Sequence, residues 1–194
     1  MINVSHIRAA LSALVVFLFL LGCTSTDPVS SADESGSSVN EQLTAGSTPI
    51  TETESDDLVF LREEEKLARD VYLKMSQLWA QPIFATIASS EQRHMDAVLK
   101  LLDHYSITDP AKDKDEGEFT NLKIKALYDE LIAKGELSLQ DALEVGVIIE
   151  ETDIQDITIF LTRTDQKNIE QVYEYLLNGS NNHLDSFEKL QERF

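Results

Sequence analysis

Ser90-Glu91-Gln92-Arg93-His94-Met95-Asp96-Ala97-Val98 is the stretch that decides how this chain is read. On an α-helix, Glu91 and His94 stand about 60° apart around the axis and about 4.5 Å apart along it. Carboxylate and imidazole therefore share a face and can reach one metal ion. A single Glu-x-x-His arises by chance on any acidic helix, but here three further elements accompany it. Glu63-Glu64-Glu65-Lys66-Leu67-Ala68-Arg69-Asp70-Val71-Tyr72 comes one helix earlier. Ile149-Glu150-Glu151-Thr152-Asp153 follows downstream, and Ser180-Asn181-Asn182-His183 carries another histidine.

Outward from that stretch, apolar residues recur at three and four, and no segment holds a period of two for long. The first helix is expected from about Asp56 to Gln77, capped by Ser55 or Asp56, with Leu58, Leu61, Ala68, Tyr72 and Met75 on its buried face. Pro82 suits the first turn of a second helix reaching about Tyr105. A long connection, Ser106 to Leu137, contains a shorter helix from about Asn121 to Lys134 that ends at Gly135. Ser138 caps a third long helix reaching about Thr162, and a fourth starts near Asp165. Asn178-Gly179-Ser180 reads as a C-cap followed by a fresh N-cap, which predicts a break or kink in the fourth helix. Two short turns and one long connection give an all-α four-helix bundle of two antiparallel hairpins. The long crossover between them, with its extra short helix, is the ferritin-like arrangement.

Composition narrows the chemistry. The 194 residues carry a formal net charge of −19, from 16 basic against 35 acidic residues. Such a surface repels phosphate backbones and attracts cations, so nucleic acid is excluded as a partner. The one cysteine, Cys23, rules out internal disulfides, a four-cysteine zinc site and a rubredoxin-type iron centre. A metal must be held by oxygen and nitrogen.

Residues 1–22 read as a targeting segment. His6 and Arg8 precede an almost unbroken apolar run, Ala9 to Leu21, which is shorter than the roughly 20 residues that span a bilayer. Leu20-Leu21-Gly22-Cys23 resembles the lipobox of bacterial lipoproteins. That resemblance implies cleavage before Cys23, acylation of Cys23 and a lipid-anchored protein of the cell envelope. Thr24 in place of aspartate favours the outer membrane, or a periplasm-facing position, in a Gram-negative cell. Residues 23–57 are rich in serine and threonine and lack lysine and arginine, reading as a disordered tether that spans on the order of 30 Å. Residues 58–194 form the domain.

Periodicity selects the inward-facing groups. Glu65 falls four after Leu61, three before Ala68 and seven before Tyr72, inside the apolar stripe, whereas Glu63 falls on the far side and Glu64 at the edge. Glu150 has Leu143, Val147, Ile154, Ile157 and Leu161 on its face. Glu151 points outward and would replace Glu150 only if the helix were rotated. Asp153 lies three after Glu150. His183 shares a face with Leu176, Ser180, Phe187 and Leu190. A glutamate on an apolar stripe is costly to bury ionised unless it is paired or binds a metal. Tyr72 reads as core, the alternative being a hydrogen bond from its hydroxyl to a ligand. Asp113-Lys114-Asp115-Glu116-Gly117 has the flavour of a calcium loop, but its glycine comes one residue early and the distal glutamate is absent.

The motifs Glu65-x-x-Ala68-Arg69-x-x-Tyr72 and Ile87-Ala88-x-x-Glu91-x-x-His94 resemble those of the ferritin-like superfamily, rubrerythrins in particular. Taken with Ile149-Glu150-Glu151-x-Asp153-Ile154 and Gly179-Ser180-x-Asn182-His183-Leu184, the stretch from Leu58 to Leu190 resembles the ferritin-like family catalogued as domain of unknown function 2202. The resemblance implies the bundle and a centre for two iron ions. In rubrerythrins the fourth helix carries Glu-x-x-His, whereas here Ser180 takes the glutamate position. Asp153 is read as supplying the lost carboxylate from the third helix. The expected ligands are then Glu65, Glu91, His94, Glu150, Asp153 and His183. Oxygen donors with two imidazoles suit iron or manganese, with zinc as an alternative. The function expected is ferrous iron oxidation or oxygen and peroxide chemistry, drawing on an external electron donor. The alternative is a non-catalytic metal-binding or interaction lipoprotein with an incomplete site. A homodimer is compatible with either.

Overall fold

Five helices follow one another with no strand among the described residues: α1 Glu52–Trp79, α2 Pro82–His104, α3 Leu122–Gly135, α4 Leu139–Leu161 and α5 Lys167–Gln191. The structure, a computed structural model, describes residues 49–193. The lipobox, Cys23 and nearly all of the tether lie outside the described residues. No helix within them is long and apolar enough to cross a membrane.

Local chemistry sets most of the boundaries. Pro82 opens α2, Asn121 caps α3 through Lys123 N and Ile124 N, and Ser138 caps α4 through Asp141 N. Two boundaries correct the sequence reading. The first helix begins at Glu52, ahead of the expected Asp56, so residues 52–57, read from the sequence as the end of a tether, are helical. Thr51 and Glu54 form a reciprocal capping box there, and the same Glu54 carboxylate accepts the Thr164 hydroxyl at 2.5 Å, tying the helix start to the turn after α4. The second correction is that α5 runs unbroken through Asn178-Gly179-Ser180. Asn178, Asn181 and Asn182 each donate a side-chain hydrogen bond to the carbonyl four residues back, and the Ser180 hydroxyl shares its proton between the Leu176 carbonyl and Asp153, so these polar side chains are satisfied inside the helix without ending it.

α1 and α2, joined by Ala80 and Gln81, form one antiparallel hairpin, and α4 and α5 form the other. α1 lies against α4, with Tyr72 near Glu150 and Asp57 near Arg163, so these helices run in opposite directions. α2 lies against α5 in the same sense, since Glu91 meets His183 while Tyr105 meets Asn168. The backbones of α2 and α4 do not approach one another, and the two helices occupy diagonal corners. The long connection carries α3 across α1 and α4.

Ahead of α3, residues 109–121 of that connection are bonded to α1. Arg62 grips Asp109 with two nitrogens at 3.0 Å. Lys66, buried, donates to Asp70 and to the Asp115 carbonyl and lies 4.7 Å from the Phe119 ring centre. Asp70 accepts from Gly117 N, and the Glu63 carboxylate accepts from Thr120 N and Asn121 N. Glu63 is thus covered by the crossover, and the 113–117 segment gives α1 its Asp115 carbonyl and its Gly117 N–H.

The interior is layered. One apolar cluster gathers Ala68, Tyr72, Phe84, Ile87, Ile148 and Phe187. The other gathers Leu58, Leu61, Val98, Leu102, Ile157 and Leu176. Every long helix passes from one cluster to the other, and in the interval each places its polar residues inward.

Candidate metal centre

The polar layer contains Glu65 from α1, Glu91 and His94 from α2, Glu150 and Asp153 from α4, and Ser180 and His183 from α5. Apart from His183, which is 8% exposed, none exceeds 1%. Five of the six residues chosen from the sequence fall into two triads, Glu65–Glu91–His94 and Glu91–Glu150–His183. Within each triad one donor atom per residue lies within 4.8 Å of the others. Ligand atoms about 2.1 Å from an ion sit at most about 4.2 Å apart, so small side-chain shifts would close either triad.

Glu91 is the shared member. Its Oε2 lies 2.7 Å from His94 Nδ1 and its Oε1 lies 2.8 Å from His183 Nδ1. Glu65 Oε2 stands 3.2 Å from His94 Nδ1, and Glu150 Oε2 stands 3.4 Å from His183 Nδ1. The two imidazoles are nearly parallel, with centres 5.5 Å apart. The approaches to Glu91 are short. Neither Glu91 oxygen has a true hydrogen bond, and Glu65 Oε1, Glu150 Oε2, Asp153 Oδ1 and His183 Nδ1 share that condition. Buried polar atoms without a partner call for an explanation, and a bound cation is one.

Charge in the layer is set by burial and by these pairings. Burial alone would lift Glu91, but His183 and His94 together outweigh it and hold the carboxyl at about 2. Burial dominates at Glu65, pushed up to about 8 against the pull of His94, and at Glu150, pushed up to about 7 with Glu91 adding repulsion. Burial opposes charge on the imidazoles too, yet Glu65 and Glu91 raise His94 to about 11, and Glu150 and Glu91 raise His183 to about 9. Tyr72 bonds a candidate ligand: its hydroxyl donates to Glu150 Oε1 at 2.6 Å.

Asp153 stands outside both triads. Its Oδ2 accepts the Ser180 hydroxyl at 3.0 Å, and burial followed by repulsion from Glu65 lifts its carboxyl well above the usual range. Ser180, at the position where a glutamate was looked for, thus orients the carboxylate read as the replacement. Glu151 is exposed. The sequence reading missed Glu64, which is buried and faces Asp156 on α4. Its signal was present: Leu61, Ala68 and Leu67 flank it at helical spacing, so the edge of the apolar stripe extended further than assigned.

Gly179 belongs to the centre as well. A Cβ built on it would stand 2.5 Å from His94 Cε1 and closer still to Nε2. The residue that reads locally as a helix stop instead allows α5 to lie directly against the imidazole.

A family model described as an uncharacterized protein domain, DUF2202, matches residues 54–193. The chain belongs to that family. The DUF2202 match contains every residue of both triads. The uncharacterized protein MJ0754 of Methanocaldococcus jannaschii is 47% identical over 146 residues, which is 75% of this chain and 79% of the relative. The crystal structure of the hypothetical protein MJ0754 from Methanococcus jannaschii aligns with a TM-score of 0.75 at 46% identity, covering 78% of this chain and 86% of that one.

Proposed function

We propose that this DUF2202 chain is a ferritin-like metal-binding protein whose bundle holds two metal ions, iron by preference, bridged by Glu91. The observation that carries the reading is the shared carboxylate. One buried glutamate turns an oxygen toward each of two buried imidazoles, with Glu65 and Glu150 completing the two sides. The donor set fits the ions: oxygens and two imidazoles, no thiolate, and several buried donor atoms lacking protein partners. Iron bound there would supply one-electron redox chemistry toward dioxygen or peroxide.

The chain's own residues would do the rest. Glu91 would serve both ions, Glu65 with His94 and Glu150 with His183 would hold one side each, and Tyr72 fixes Glu150 by occupying one of its oxygens. The apolar clusters above and below exclude water from the layer. The arrangement of two hairpins with a crossover supports a ferritin-like ancestry. We further propose lipid anchoring through Cys23 in the cell envelope, with electrons for any turnover coming from a separate donor.

Ser180 favours a second reading, a metal-binding module without turnover, because it leaves the Glu91–Glu150–His183 side one carboxylate short of the first expectation. One experiment separates the two. The purified chain is stripped of metal, loaded anaerobically with ferrous iron, assayed for iron per chain and exposed to oxygen. Two irons oxidised faster than free ferrous iron support the redox reading. Bound iron that oxidises no faster supports the second, and no stoichiometric binding of iron, manganese or zinc defeats both.

A further inference from the structure

A cavity of about 420 Å³ opens between the first half of α1, the crossover and the end of α4, lined by Asp56, Asp57, Phe60, Glu63, Phe160 and Arg163 among others. Neither triad reaches it. Asp57 at its wall pairs with Arg163 at 2.8 Å. Behind that pair stands Asp156, buried, which is influenced by the charge of both. Asp156 in turn lies within hydrogen-bonding reach of Glu64, a carboxyl-to-carboxyl contact that one shared proton would bridge. Glu64 Oε2 and Asp156 Oδ2 are both buried with no protein donor reaching them. Next along are Asp153 and then Glu65, whose charges are coupled to Glu64 and to each other. Asp153 Oδ1 and Glu65 Oε1 also lack partners. From Asp57 to Glu65 the line covers about 12 Å along α1.

Two buried carboxylates facing each other are unfavourable unless a proton or a cation lies between them. A lone pair of this kind would call for nothing more than a shared proton. Here the pair is one rung of a ladder with an open cavity at one end and the candidate centre at the other. Consecutive rungs alternate between α1 (Asp57, Glu64, Glu65) and α4 (Asp156, Asp153), so each step crosses the same helix interface. Hard dications bind such oxygen donors and exchange between them readily.

We infer that Asp156, Glu64 and Asp153 form a transit line along which divalent cations pass from this cavity to the Glu65 side of the centre. The inference rests on the proposed metal centre and adds to it the route of loading. Asp57, neutralised by Arg163, sits at the mouth. Asp156 and Glu64 take the cation inside, and Asp153, steadied by Ser180, passes it to Glu65.

The test is the rate of cobalt(II) uptake by the metal-free full chain, followed by cobalt absorbance in a stopped-flow instrument, with final cobalt per chain measured separately. Glu64→Gln and Asp156→Asn should each slow uptake at least tenfold while leaving the final content unchanged. Glu151→Gln, on the exposed side of α4, should change neither. Unaltered rates in both variants would overturn the line. A lowered final content would also overturn it, by making these residues ligands of the centre instead of its approach. Wild-type protein that binds no cobalt, manganese or ferrous iron would mean that the centre itself has been misread. Both substitutions replace an acid with its near-isosteric amide. Should either fail to fold, anomalous scattering from cobalt-soaked crystals of the wild-type chain decides: density between Glu64 and Asp156 supports the line, and its absence at saturating cobalt overturns it.

Discussion

Gly179 and His94 are in contact across the α2–α5 interface so closely that no other residue type fits at position 179 without moving the imidazole. Alanine is the better helix former by about 1 kcal/mol, so on propensity alone Gly179→Ala should stabilise α5. The added methyl instead displaces His94 from Glu65 and Glu91. Cobalt titration should show binding on the Glu65 side weakened at least tenfold. In a His94→Ala background the clash is gone, and adding Gly179→Ala should then raise the melting temperature. A double variant that melts below the His94→Ala single variant would show that the glycine serves something other than the ring.

Glu91 faces both imidazoles, so its loss cannot be confined to one side. Glu91→Ala is expected to abolish stoichiometric metal binding. Glu65→Ala or His183→Ala should each cost about one ion per chain. Elemental analysis of the three variants after identical loading checks this, and one full equivalent retained by Glu91→Ala would contradict the bridging role.

The metal-free domain should lose stability as pH rises from about 5 to 9. Glu65 and Glu150, raised to about 8 and 7, hold protons in the folded state that the unfolded chain releases near its ordinary values, so their contribution is lost as pH climbs through that window. His94 and His183, raised to about 11 and 9, stabilise fully below the ordinary imidazole value and lose that effect upward through their folded values. Glu91, lowered to about 2, acts oppositely but only in acid. Metal competes with these same protons, so the gap between loaded and metal-free melting temperatures should widen with pH. Thermal melts at four pH values, with chelator and with cobalt, test both trends. A gap that narrows would be inconsistent with the assigned ligands.

Tyr72→Phe keeps the ring against Phe84 and Phe187 and removes only the hydroxyl that holds Glu150 Oε1. Stability should change by about 1 kcal/mol, as expected of one hydrogen bond. Affinity on the Glu150–His183 side should shift severalfold, with the Glu65 side unchanged. Equal changes at both sides would point to a general packing defect.

Much of the centre could be read in the sequence because its ligands sit on the same helical stripes as the core. Glu65, Glu91, Glu150 and His183 each interrupt an apolar period that resumes one or two turns later, and that pattern needs no tertiary information. The burial of Glu63 was not legible in the same way. What covers it is the backbone at Thr120 and Asn121, across the crossover, and no local period reports such a partner. Gly179 was misread because Asn-Gly-Ser is a turn signal in isolation, whereas its meaning depends on a ring from another helix. The start of α1 was a different kind of miss. Thr51-x-x-Glu54 is a capping-box pattern present in the sequence, overlooked because the serine- and threonine-rich segment runs into it.

The long connection between α2 and α4 has one more consequence. Extended surface segments are where proteases normally cut a folded chain, because they open without the rest unfolding. Here residues 109–121 are held by Arg62, Glu63, Lys66 and Asp70, all from the helix that also carries Glu65. Freeing that segment for cleavage requires α1 to give up the bonds of these four buried side chains. Limited proteolysis at this loop should therefore follow opening of the whole bundle, and its slowing on addition of a cation would register binding at a centre the protease never touches.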